Sequence, residues 1–206
     1  MRCRISVFGC DVARVRIAQV ALSLLAMLAQ PVAAATMAID VTSQGDKIEI
    51  EASALLHADT QTAWRVLTDY ERYVDFIPGL RQCRVLARKG PTVTVEQSGE
   101  VTLWLLHRPL DVTFEIVEIA PSRLDSRVVA GDLRALTSRY VLTPVGDQVR
   151  LQYTGELDSG LALFGPVERF AVRQNVGQRF QALAEQIERQ PGSPAATPGL
   201  GRLGRE

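Results

Sequence analysis

From Lys47 onward the chain alternates. Ile48, Ile50 and Ala52 fall on one side of Lys47–Leu55, and Glu49, Glu51 and Ser53 on the other, the period-two pattern of a half-buried strand. The period then lengthens. Asp59 or Thr60 can cap a helix, because a side-chain oxygen at that point accepts from a free backbone N–H, and Ala63, Val66 and Leu67 follow at helical spacing. Asp69 can cap a second short helix carrying Tyr70, Tyr73, Val74 and Phe76, which Pro78-Gly79 ends. Alternation returns in six further segments, roughly Leu80–Arg88, Thr92–Trp104, Pro109–Ile119, Arg123–Ala130, Arg134–Pro144 and Gln148–Asp158. Gly90-Pro91, Pro121-Ser122 and Gly146-Asp147 supply turns between them. Leu110, Val112, Phe114 and Ile116 oppose Asp111, Thr113 and Glu115; one wet face and one buried face predicts an antiparallel sheet packed on something.

The only remaining segment long enough to cover such a sheet is Pro166–Arg189. Its residues Val172, Val176, Phe180, Leu183 and Ile187 form one helical stripe, and Gly177 beside it permits close approach. The order predicts an α+β helix-grip fold: a curved seven-stranded antiparallel sheet wrapping a long C-terminal helix, with two short helices after strand 1. Such a fold is a container. Extended toward its N-terminus, the stripe reaches Arg169 and Arg173, so the helix is expected to fill the sheet at its C-terminal half and stand off at the other. Strand alternation also places the connections around Leu105–Arg108, Gly131–Leu133 and Gly160–Gly165 at one end, opposite Gly90-Pro91. They carry Trp104, Leu105, Leu106, Leu133, Leu161, Leu163 and Phe164. Apolar loops gathered at one end read as a mouth for an apolar ligand, or alternatively as a lid packed over a filled core.

Charge and termini narrow the setting. Arg2, Arg4, Arg14 and Arg16 precede an apolar run, Ile17–Leu28; Gln30-Pro31 breaks it and Ala33-Ala34-Ala35 follows. This is the layout of a cleavable secretory signal over residues 1–35, with a run short of the roughly 20 residues that span a bilayer. A retained anchor is the alternative. Beyond it the chain holds 19 basic and 22 acidic residues, a balance that disfavours nucleic acid as partner, since phosphate must be neutralised by a basic patch. Cys83 is then the one cysteine, unable to form an internal disulfide and expected to be buried as a small apolar group. The expected domain is 36–190; residues 191–206, rich in Pro and Gly, read as a disordered tail.

The segments AWRVLTDYERYVDFIPGL and VTVEQSG, together with the Gly131, Asp132, Leu136, Ser138, Tyr140 and Tyr153 pattern, resemble the polyketide cyclase and coenzyme Q-binding (START-like, SRPBCC) superfamily. The resemblance covers about Ile48–Gln190. It implies the helix-grip fold and a hydrophobic ligand such as a lipid, quinone or polyketide, but no reaction. It also implies that Trp64 and Tyr73 pin the short helices to the sheet.

No nucleophile elbow, Walker loop, C-x-x-C or H-E-x-x-H is present, and His57 and His107 offer too few ligands for a metal. No cofactor is expected. The candidate ligand-binding residues are Gln97, Ser138, Tyr140, Tyr153, Arg169 and Arg173 as polar groups facing the cavity. Phe114 belongs to its wall, and Trp104, Leu105, Leu133 and Phe164 to its mouth. Three readings stay open: an exported binder or carrier of a hydrophobic small molecule, a cyclase- or dehydratase-type enzyme on an apolar substrate, and a protein-interaction module of the cell envelope. The apolar rim would touch a membrane transiently.

Overall fold

The computed structural model describes residues 37–44, 47–103, 106–158 and 165–190. The expected leader and tail lie outside the described residues. Eight strands form one sheet: β1 (Met37–Gln44), β2 (Lys47–Leu56), β3 (Leu80–Lys89), β4 (Thr92–Leu103), β5 (Leu106–Ile119), β6 (Arg123–Gly131), β7 (Ala135–Val145) and β8 (Gln148–Asp158). Their spatial order is β1-β2-β8-β7-β6-β5-β4-β3, and every neighbouring pair is antiparallel. Between β2 and β3 lie helix α1 (Thr60–Thr68) and a 3-10 helix (Tyr70–Asp75); helix α2 (Gly165–Arg189) closes the domain.

The expected seven strands become eight. β1 adds an edge to β2, with Ile39 and Val41 opposite Ala52 and Ile50. Met37, Ile39 and Val41 alternate over only five residues before the polar Thr42–Gln44, a short pattern that pairing with β2 completes. Asp59 caps α1, accepting from the Thr62 N–H at 2.6 Å. Asp69 forms no side-chain cap to the following turn, which is 3-10 and not α. Trp64 is buried in the core, and the Tyr73 hydroxyl donates to the Leu67 carbonyl at 2.7 Å, tying the two short helices together.

Helix α2 touches β1, β2 and β4. In a flat sheet β1 and β4 would be six strand spacings apart, roughly 29 Å, whereas a helix with side chains is about 10–12 Å across. The sheet is therefore curled around the helix. On one flank Gly177 makes the approach possible: a Cβ there would come within 3.3 Å of Ile39 Cδ1. On the other, Asn175 acts as a surrogate strand. Its Oδ1 accepts from the Thr102 N–H at 3.0 Å, and its Nδ2 donates to the Thr102 and Ala171 carbonyls, each at 2.7 Å. β3 begins pairing only at Gly99, so Thr102 lies on a stretch of β4 edge beyond β3, and the Asn175 amide satisfies it.

Candidate functional site: a chamber between sheet and helix

Register and alternation decide which side chains face α2. On the inner face are Val93, Val95 and Gln97 of β4, Phe114 and Ile116 of β5, Leu124 and Ser126 of β6, Ser138, Tyr140 and Leu142 of β7, and Leu151 and Tyr153 of β8. One end of this face is solid. Val93, Val95, Val149 and Leu151 are 0% exposed and pack with Phe180, Leu183 and Ile187 of α2. Toward the other end the same strands, with side chains on the same side, keep accessible surface at Gln97, Phe114, Ser126, Val128, Leu136, Ser138 and Tyr140. These half-buried inner-face side chains, beside the sealed Val112 and Leu157 of the same face, mark the candidate chamber, with the packed half as its floor.

The floor meets the chamber at a cross-strand tyrosine pair. Tyr140 and Tyr153 are directly opposed on β7 and β8, with ring centroids 4.8 Å apart. The Tyr153 ring lies along its own strand over Gly155, where an added Cβ would meet the hydroxyl at 2.8 Å. Gly155 pairs with Ser138, so the phenol arrives beside the Ser138 hydroxyl and hydrogen-bonds with it. Ser138 Oγ is in turn 2.7 Å from Ser126 Oγ. The Tyr140 hydroxyl has no hydrogen-bond partner among the described residues. Burial raises both phenols, Tyr140 well above the ordinary tyrosine range, so they stay protonated at neutral pH. Across the chamber, Gln97 Nε2 approaches Cys83 Sγ at 3.6 Å. Cys83 is buried and free, its thiol pushed up to about 11 by burial.

Gln97, Phe114, Ser138, Tyr140 and Tyr153 thus share the inner face of the sheet. Leu133, in the β6–β7 connection, is half-buried against the core. Trp104, Leu105 and Phe164 lie outside the described residues. Arg169 and Arg173 are exposed and do not enter the chamber; on the first turns of α2 their long stems carry the charge outward to water. The arginine that does enter is Arg179. It is deeply enclosed, with burial drawing its pKa down and Tyr140, Tyr153 and Cys83 as its electrostatic neighbours. A signal for it exists in the sequence: Arg179 sits three residues after Val176 and four before Leu183, a stripe position where an apolar residue is expected.

A second concavity, a groove of about 670 Å³, lies on the outer face of the sheet and is lined by residues such as Glu51, Glu115, Asp125, Arg127, Arg139 and Glu156. Three ion pairs lie along it, Arg127 to Glu115 at 2.7 Å, Arg139 to Asp125 at 2.5 Å and Lys47 to Glu156 at 2.5 Å. It is a solvated sheet face whose lining is mostly charged and also includes Ser126 and Ser138. Among the described residues no group of His, Cys, Asp and Glu could hold a metal.

The family model described as polyketide cyclase / dehydrase and lipid transport matches residues 47–190. The chain belongs to that family. Solved structures of the START superfamily share its fold. One from Mycobacterium smegmatis has 19% identity and a TM-score of 0.61, covering 68% of this chain and 97% of that one. A STAR-related lipid transfer protein fragment from Xanthomonas axonopodis has 13% identity and a TM-score of 0.62, covering 77% and 96%. An aromatase/cyclase from a Streptomyces species has 14% identity and a TM-score of 0.57, covering 69% and 94%. No curated protein matches the sequence. In this START-like chain the matched region runs from the start of β2 to just past α2, leaving β1 as an addition at the sheet edge.

Proposed function

We propose that this START-like protein binds and carries a hydrophobic small molecule, a lipid, quinone or similar, in the chamber between the sheet and α2. The observation that carries the reading is the split inner face: a sealed apolar floor beneath a half of the same sheet that keeps accessible surface at Phe114, Val128, Leu136 and Tyr140. A lipid transfer protein among the structural neighbours supports it. We place the protein outside the cytoplasm, on the strength of the arginine-led apolar run and Ala33-Ala34-Ala35. The mouth would meet membranes in passing: Phe170 and Val167, in the first turns of α2, are 58% and 40% exposed, and Val129, near the end of β6 at the same side, is 47% exposed. Exposed apolar side chains of this kind gain about 25 cal/mol per Å² removed from water, enough for weak and reversible contact.

Native mass spectrometry of the protein purified under gentle conditions, followed by organic extraction, tests the reading. A co-purifying apolar molecule at up to one per chain is expected. A protein that stays empty and also takes up no neutral apolar fluorophore would sink it.

A further inference from the structure

Arg179 poses a charge problem that the described residues do not solve. A guanidinium stays protonated even when buried, and an enclosed charge without a counter-ion is costly. Its neighbours are Tyr140, Tyr153 and Cys83, all three held neutral by burial, with the thiol up at about 11. No carboxylate forms an ion pair with Arg179 among the described residues, although arginines elsewhere on the sheet do pair, as Arg84 does with Glu96 and Arg127 with Glu115. Nor is the residue sealed: it keeps accessible surface on the α2 stripe that carries the core residues Phe180 and Leu183, the side of the helix turned to the sheet. Beside it the Tyr140 hydroxyl lacks a partner among the described residues, and the Tyr153 hydroxyl is held by Ser138. One fixed cation and a phenolic donor without such a partner are thus electrostatic neighbours on the inner side of the fold.

We propose that the chamber selects amphipathic ligands bearing one acidic oxygen group, a carboxylate in the simplest case, which pairs with Arg179 and accepts from the Tyr140 hydroxyl. The ligand then lies head inward, with its apolar tail along Phe114, Val128 and Leu136 toward the mouth. This rests on the container reading above and narrows it to acids. A guanidinium can bind a carboxylate through two parallel hydrogen bonds, so the preference for an acid over its neutral ester should be large.

The test is displacement of the neutral fluorophore N-phenyl-1-naphthylamine by sodium dodecanoate and by methyl dodecanoate at neutral pH. It uses the wild type, Arg179→Met and the outer-face control Arg150→Met. Wild type and control should bind the acid about tenfold or more tightly than the ester. Arg179→Met should lose that preference while still taking up the fluorophore. Equal displacement by acid and ester in a fluorophore-binding wild type overturns the acid selection and leaves the container reading standing. Failure of the wild type to take up fluorophore, acid and ester overturns both. A preference that survives in folded Arg179→Met also overturns the proposal. Should Arg179→Met not fold, Arg179→Lys takes its place: a point charge without the bidentate fork should keep part of the preference, and an undiminished or wholly absent preference in that variant counts against the pairing.

Discussion

Asn175 is the place where the helix is fastened over the chamber, and Asn175→Ala should loosen it measurably. The substitution removes the bonds to the Thr102 N–H and C=O, at 3.0 and 2.7 Å. The third bond, to the Ala171 carbonyl, matters less, because that carbonyl also lies within the helix. Two strand-edge bonds at about 0.5–1.5 kcal/mol each give a cost of about 1–3 kcal/mol. For a domain of this length one kcal/mol moves the melting temperature by about 2–4 °C, so the variant should melt roughly 2–12 °C lower. Because the clamp holds the half of α2 that stands over the chamber, a preloaded neutral fluorophore should also leave faster in stopped-flow mixing with empty vesicles. Asn175→Asp should be at least as unstable, since a carboxylate would replace a donor facing two carbonyl oxygens. A folded Asn175→Ala with unchanged melting and unchanged release would show that the amide contributes nothing to closing the chamber.

Gly99→Ala should cost about 2–4 kcal/mol, since its Cβ would stand 2.2 Å from the Gly79 carbonyl oxygen, and backbone cannot give way as a side chain can; chemical denaturation measures it. Cys83 should resist alkylation at neutral pH in the folded protein and react after unfolding. Its folded pKa is raised to about 11 from an ordinary 9.0, so the associated stability is present below about pH 9 and lost as pH rises through about 11; labelling as fast in native as in denaturant would contradict the burial. Phe170→Ser should leave melting within a few degrees, because the ring is 58% exposed, yet slow exchange of ligand with liposomes. Unaltered exchange would remove the membrane-contact argument. Exported protein should begin near Thr36, and N-terminal sequencing that found Met1 would overturn both the cleavage site and the placement outside the cytoplasm.

Strands β2 through β8 and helix α2 were legible because each buries one face against one partner, so alternation and helical stripe report directly on packing. β1 was not, for the reason that edge strands need little apolar content: Ile39 and Val41 are only half-buried. The α2 stripe showed arginines in place of apolar residues at its start, but the inward one was not among those singled out. Arg169 and Arg173 reach water from the helix start, while Arg179, flanked by Val176 and Leu183, has no such route and is held inside. The tyrosine pair could be named from its strands, whereas the hydroxyl chain from Tyr153 to Ser138 and Ser126 depends on Gly155 leaving room for a ring, which no residue pattern announces. The polar contact of Gln97 with Cys83 likewise comes from the β3–β4 register.

The close seating of Ile39 against Gly177 has a consequence for how the protein is made. It joins the first described strand to the last helix, so contacts at the two extremes of the domain are separated by nearly its whole length. Structures dominated by such distant contacts fold slowly, because the chain must close a long loop before the contact rewards it. β1 has no second strand to pair with, and its inner face stays uncovered until α2 has been synthesised. The nascent domain is thereby kept unfinished until its last helix has been made.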